Sequence, residues 1–358
     1  MRPASTYRFV SAAIRTHRDV LATSIVDRQY GMDPQRWEAF GAEGRQKSLR
    51  DVRYHLDYLT EALEAEDQSL FVNYVDWART LYSSLGLGED ALETSLRIML
   101  DILPQALSTD LSDLALDFIN RGLRRLQTAG RVPPTHLIPD APNAQLAQTY
   151  LESLLSGSRR QATAIILQAV ELGTSVKDIY LHVFQPVQRE LGRLWQLGEI
   201  SVAQEHLATA VTQFIMSQLY PRIFATERCG RRLVAACVGD ELHELGIRMV
   251  ADFFEMGGWD TYYFGASTPS TAIVSATSEY EPHVLALSVT MTFHVRTLAE
   301  LIEQLRAREH GARTPVLVGG YPFNTSPGLW RRIGADAVAH DAEEAIPAAN
   351  RLLKDPEP

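Results

Sequence analysis

The sequence predicts an α and α/β protein: an N-terminal all-helical domain, a four-helix bundle, and a C-terminal flavodoxin-like (Rossmann-type) domain built on five parallel strands. Three observations carry this. Apolar residues in 1–127 recur only at helical spacing, four helices joined by short turns follow in 144–226, and from residue 231 apolar runs of strand length alternate with helical stretches. At 358 residues the chain is long enough for two or three separate cores.

In the first domain Leu59, Leu63, Leu70, Phe71, Tyr74, Val75, Trp77, Ala78 and Leu81 form a stripe at three- and four-residue steps. Residues 91–103 make a further helix that ends before Pro104, and 111–126 make the last, so four or five helices are expected. Residues 128–143 then read as a semi-rigid linker, because Pro133, Pro134, Pro139 and Pro142 fix φ and remove backbone donors.

The bundle helices are expected at 144–155, 159–172, 176–197 and 202–219. Joints as short as 172–175 make neighbours antiparallel. Pro186 should kink the third helix, and Ser201 with Gln204 has the spacing of a capping box that starts the fourth. Trp195 at the end of the third helix and Glu205 and His206 in the first turn of the fourth therefore meet at one end of the bundle.

Strands are expected at 233–238, 261–264, 284–289, 315–318 and 337–339, with helices at 245–255, 270–279 and 295–309 and a last one through Leu353. Strands separated by helices and buried on both faces mean a parallel, doubly wound sheet over 231–358.

Composition excludes several classes of function. Hydrophobic residues at 46% and charged residues at 22% are ordinary for a globular chain. No apolar run approaches the length a membrane helix needs and no signal-peptide core opens the sequence, so a cytoplasmic location is expected. Cys229 and Cys237 cannot make a disulfide framework. A net charge of -10, with only short basic groups such as Arg121, Arg124 and Arg125, argues against a nucleic-acid-binding face. No catalytic triad, phosphate loop or zinc motif appears, and a non-enzymatic protein is expected.

Two motifs carry the functional reading. Glu241-Leu242-His243-Glu244-Leu245-Gly246 stands where the first strand gives way to a helix, and Trp195 is followed after nine residues by Glu205-His206. The first resembles the D-x-H-x-x-G signature of cobalamin-binding domains, and the second resembles the W-x9-E-H signature of cobalamin-dependent photoreceptors. The resemblance covers about residues 144–340. It implies that His243 replaces the cofactor's own base as lower cobalt ligand, that Glu241 orients His243 by accepting from its other ring nitrogen, with Asp240 as a fallback, and that Gly246 lets the displaced nucleotide tail pass. It also implies that Trp195, Glu205 and His206 cover the adenosyl group of adenosylcobalamin. Ser288 and Thr290, and the pair Gly319 and Gly320, resemble the family's S-x-L and G-G positions around the buried tail, with threonine replacing the usual leucine; Tyr321 and Phe323 are candidates to stack beside it.

The implied function is a light sensor in which loss of the adenosyl group repacks the bundle against the sheet. The competing reading is a corrinoid carrier of a methyltransferase system. Where light-responsive repressors of this type have a second histidine, this chain has Gln196, which excludes a bis-histidine light state from that position and leaves His206 or His182. Those repressors carry a basic helix-turn-helix; residues 1–127 instead resemble, in layout and in the Tyr74-Val75-x-Trp77 region, the helical domain of photocobilins, which also hold a bilin such as biliverdin. No cysteine lies in the first 228 residues, so a bilin would be noncovalent, with Arg45, Arg50, Arg53, Tyr54, His55 and Tyr58 as its candidate set. A downstream signalling protein or a change of homo-oligomeric state would carry the signal onward.

Overall fold

In the computed structural model, which describes residues 4–107, 109–128 and 132–353, the chain divides into two units, Met1–Val132 and Pro133–Pro358. The described part of the first unit is helical throughout: α1 (Ala4–Thr16), α2 (Arg18–Met32), α3 (Pro34–Glu38), α4 (Gly41–Glu64), α5 (Gln68–Ser84), α6 (Glu89–Ala106) and α7 (Thr109–Thr128). These are seven helices, against the four or five expected. The stripe from Leu59 to Leu81 hides a turn at 65–67, where Glu66 takes φ 52° and the Asp67 carboxylate accepts the Ser69 N–H at 2.9 Å to open α5. Helix α6 runs past Pro104 to Ala106, because a proline in a final turn removes only one hydrogen bond from a helix about to end. Leu56, Leu59, Leu63, Phe71 and Val75 are fully buried in the core of this unit.

Of the proline-rich segment, residues 129–131 lie outside the described residues, and 132–143 form no helix or strand. The bundle follows with α8 (Ala144–Leu155), α9 (Arg159–Glu171) and a third helix in three parts: α10 (Val176–Ile179), a π turn over Tyr180–Phe184, and α11 (Gln185–Gln196). Pro186 explains the break. Its missing N–H leaves the ladder one donor short, and the chain relaxes into wider bonding in which the Gln185 N–H reaches the Tyr180 carbonyl. Helix α12 (Val202–Ile223) starts at the expected capping box, with Ser201 Oγ accepting the Gln204 N–H at 3.2 Å and Gln204 Oε1 accepting the Ser201 N–H at 2.9 Å.

The remaining elements alternate: β1 (Arg232–Val238), α13 (Leu245–Met256), β2 (Asp260–Thr268), α14 (Ser270–Glu279), β3 (Val284–Ser288), α15 (Val295–Arg306), α16 (Glu309–Arg313), β4 (Val316–Gly319), α17 (Tyr321–Thr325), α18 (Leu329–Arg332), β5 (Ala337–Val338) and α19 (Ala342–Leu352). The helix expected over 295–309 is α15, three residues shorter, and α16, α17 and α18 went unread. All strands pair in parallel in the order β2-β1-β3-β4-β5, the flavodoxin-like order. Its reversal of strand order between β1 and β3 places a crevice beyond the carboxyl ends of those two strands.

Bundle and sheet belong to one unit and share a core: Tyr180, Phe184 and Ile215 of the bundle cluster with Met249 and Phe253 of α13. Polar pairs edge the seam. Gln213 donates to Glu244 at 2.6 Å, Arg248 to Ser217 at 2.8 Å, and the Tyr180 hydroxyl to Asp252 at 2.8 Å. Burial pushes the Asp252 carboxyl up to about 6, against the lowering effect of Tyr180 and Arg248.

Candidate functional site

Strand β1 is held in place by Leu233 through Val238, all buried. It ends at Gly239, whose φ of 64° turns the chain out of the sheet, and the next five residues cross the crevice before α13 begins. Glu241 lies in that crossing and is only 1% exposed. A buried carboxylate must be paired or fully hydrogen-bonded, and this one is both. Its Oε1 accepts from His243 Nδ1 at 2.5 Å and from the His243 backbone N–H at 3.1 Å. Its Oε2 accepts the Thr290 N–H at 2.7 Å, the Met291 N–H at 2.9 Å and His294 Nδ1 at 3.2 Å. Burial alone would raise its pKa; the bonds from His243, His294 and Met291 outweigh it and hold the group well below the usual carboxylate range.

A carboxylate can only accept, so His243 Nδ1 must carry the proton and Nε2 is left as the ring's open nitrogen. The bond to Glu241 raises the His243 pKa against the opposing effect of burial, and the charges of Glu241 and Glu205 add to it. The His243 side chain is 58% exposed. One oriented imidazole, its second nitrogen bonded to a buried acid, is the arrangement that fixes a metal-ligating histidine. Among the described residues no group of three or more His, Cys, Asp or Glu could enclose a bare ion, so this ligand suits a metal that brings its other ligands with it.

Above it stands the bundle end. Trp195 is half-buried in the last turn of α11. In the first turn of α12, Glu205 Oε2 accepts from His206 Nδ1 at 2.5 Å and Glu205 Oε1 accepts the Thr209 hydroxyl at 3.0 Å. His206 is 75% exposed. The charge of Glu205 acts on His243, and Gln213 further along α12 bonds Glu244, so α12 runs beside the loop after β1. Exposed apolar side chains stand on the same elements, Val202 and Leu207 on α12 and Leu242 and Tyr321 after β1 and β4. A Cβ added at Gly246 would meet nothing within 4 Å. An open backbone, apolar borders and one presented imidazole fit a corrin ring with its tail passing into the sheet edge.

Other expected residues are placed as follows. Ser288 ends β3, buried, in register with Cys237 and Gly319. Thr290 takes part through its backbone N–H, so the departure from leucine leaves that bond intact. Gly319 approaches the Ala339 carbonyl, and a Cβ at Gly320, φ 108°, would lie 1.8 Å from the Val289 carbonyl oxygen; the second glycine is required by the backbone itself. Phe323 is buried and unavailable for stacking, which leaves Tyr321. Asp240 is exposed, and Glu241 is the acceptor. Gln196 is buried at 8% exposure, and His182 lies on the π turn with Asp178 at 3.9 Å.

The six residues considered for a bilin do not converge. His55 and Tyr58 face the interior, whereas Arg45 pairs with Asp27, Arg53 with Asp19 at 2.7 Å, Arg50 sits 3.9 Å from Asp51, and Tyr54 is exposed. Helix α4 turns them to different faces. The residue the sequence reading missed is His294. It follows β3 as His243 follows β1, and the rule that ligands gather at strand carboxyl ends would have found it.

Residues 231–350 match a family model described as B12 binding domain, and residues 146–220 match a second model of the same description. The dimethylamine corrinoid protein 2 of Methanosarcina mazei is 24% identical over 218 residues, 60% of this chain and 99% of that protein. The HTH-type transcriptional repressor CarA of Myxococcus xanthus is 32% identical over 168 residues, 47% of this chain and 55% of that protein. Among solved structures, the Methanosarcina barkeri monomethylamine corrinoid protein is similar with a TM-score of 0.53 at 18% identity, covering 59% of this chain and all of that one. The bundle and the sheet domain have the corrinoid-protein fold, a helical cap over a Rossmann-like B12-binding domain, and the chain is cobalamin-binding.

Proposed function

We propose that the protein is a non-enzymatic light sensor that holds adenosylcobalamin with its own base displaced and His243 as lower cobalt ligand. When bound, this cofactor supplies a cobalt–carbon bond that visible light breaks. What supports the reading is a polar lid: Glu205, whose charge acts on His243, is joined to His206 at 2.5 Å, and Trp195 closes the preceding helix. A methyl group offers such a lid nothing to bond, whereas a nucleoside offers an amino group, two hydroxyls and a flat ring. Once that nucleoside leaves, Trp195 and the Glu205–His206 pair lose their partner and water enters. The polar seam between α12 and α13 is then where bundle and sheet can shift.

A corrinoid carrier of a methyltransferase system is the second reading, favoured by the match along nearly the whole length of the dimethylamine corrinoid protein. Reconstitution in the dark with adenosylcobalamin and with methylcobalamin separates the two. Trp195→Ala should weaken the adenosyl form by about tenfold more than the methyl form, and illumination should change the spectrum and the elution volume of the adenosyl complex. Equal losses and an unchanged elution volume would favour the carrier.

The proposal extends to a noncovalently held bilin in the N-terminal unit. Its support is now the aromatic interior rather than the arginines: Tyr58 stacks on Tyr74 at 3.8 Å, and His55 bonds the Tyr74 hydroxyl at 2.5 Å and the Tyr82 hydroxyl at 3.2 Å. A red-absorbing complex with biliverdin supports this part, and its failure to form confines the light response to the corrin. The signal passes to a downstream protein or to a change of oligomeric state, without a nucleic-acid or membrane partner; no helix among the described residues is long and apolar enough to cross a membrane.

A further inference from the structure

A cavity of about 300 Å³ lies where the linker packs on α8, the π turn and α11. Leu137 and Leu181 contribute to its apolar wall, and His136, His182, Gln185 and Arg189 to its polar one. The polar groups are unspent. Among the described residues the Arg189 guanidinium, the His136 ring and the Gln185 amide have no hydrogen-bond or ion-pair partner, and His182 meets only Asp178, at 3.9 Å. Glu190, the acid beside Arg189 in sequence, is taken by Arg193 at 2.7 Å and by the His136 backbone N–H at 2.8 Å. Burial lowers the His136 pKa, the Glu190 carboxylate opposes that, and the charges of Arg189 and Arg193 add to the lowering, so both arginines lie near this ring. In a chain of net charge -10, an arginine left without an anionic partner on a cavity wall runs against the average surface.

We propose that this cavity binds a small organic carboxylate with an apolar body, its carboxylate on Arg189 and His182 and its body against Leu137 and Leu181. A guanidinium fork matches a carboxylate in two parallel bonds. The apolar wall selects an organic acid over inorganic phosphate, since small-molecule sites combine mostly apolar lining with a few convergent polar groups. The position also gives the site something to act on. The π turn that puts His182 on this wall puts Tyr180 on the seam, where its hydroxyl bonds Asp252 of α13. Occupancy would therefore bear on the segment joining bundle to sheet, and π turns are frequent at functional positions.

Calorimetric titration of the full chain with 1-naphthoate and with benzoate tests this. Saturable binding of either acid is expected, at least about tenfold weaker for the matching neutral amide and for Arg189→Gln, and several-fold weaker for His182→Gln. Arg189 is exposed, so its variant should melt with the native protein, and Gln185→Ala provides a second polar-wall variant. The proposal is overturned if neither acid binds in the millimolar range, if acid and amide bind alike, if Arg189→Gln leaves the affinity unchanged, or if inorganic phosphate displaces the acid at equal concentration.

Discussion

The two sides of the corrin crevice are built to opposite standards. On the sheet side Glu241 is 1% exposed and takes five hydrogen bonds, three from backbone N–H groups, so the His243 ring it orients is locked. On the bundle side His206 is 75% exposed and, among the described residues, bonds only its sequence neighbour Glu205. A floor that must grip a metal is organised before the cofactor arrives. On the proposed function, a lid that releases a group is ordered by the cofactor, and the cost of that ordering keeps it reversible.

The largest effect that could break this contrast is expected at Glu241. Glu241→Ala leaves the buried Thr290 and Met291 N–H groups without their acceptor and frees the His243 ring. The expected outcome is a loss of about 3 kcal/mol of stability by denaturant titration and a 10- to 100-fold loss, to order of magnitude, of cobalamin affinity. A variant that melts and binds as the native chain does would show that the floor is no more organised than the lid.

A smaller effect, at the seam between the two sides, sharpens the contrast. Asp252 has its folded pKa raised to about 6 by burial, above the unfolded value of about 4. Its stabilising contribution is therefore complete below about pH 4 and lost as pH rises through about 6. Asn is neutral throughout and can still accept from the Tyr180 hydroxyl. Asp252→Asn should stabilise the chain by about 2 kcal/mol near pH 7.5, several degrees in Tm, and by little near pH 4. Equal effects at both pH values would mean that the seam carries no buried charge.

The parts legible in the sequence were those written in local spacing. Glu241 and His243 are two residues apart, Ser201 and Gln204 three, and the alternation of strands with helices gave the parallel sheet. The parts that went unread depend on the chain returning from a distance. Thr290 and Met291 contribute backbone N–H groups, which leave no mark in side-chain chemistry, and His294 reaches Glu241 across 53 positions. Glutamate at this position looked like a lengthened aspartate. Its second oxygen in fact ties the loop after β1 to the loop after β3, which a motif confined to one loop could not reveal. In the N-terminal unit, nearness in sequence did not reveal burial: His55 and Tyr58 of α4 face the interior, whereas Tyr54 is exposed and Arg45, Arg50 and Arg53 stand beside Asp27, Asp51 and Asp19.

The central claim is that His243 Nε2 is the lower ligand of the bound cobalt. Its most direct test is the dark absorption spectrum of the chain reconstituted with adenosylcobalamin, read for the native protein, for His243→Ala, and for that variant with added imidazole. The account predicts a histidine-ligated spectrum for the native protein, its loss in the variant, and its return with imidazole. A His243→Ala complex whose spectrum matches the native one would contradict the claim.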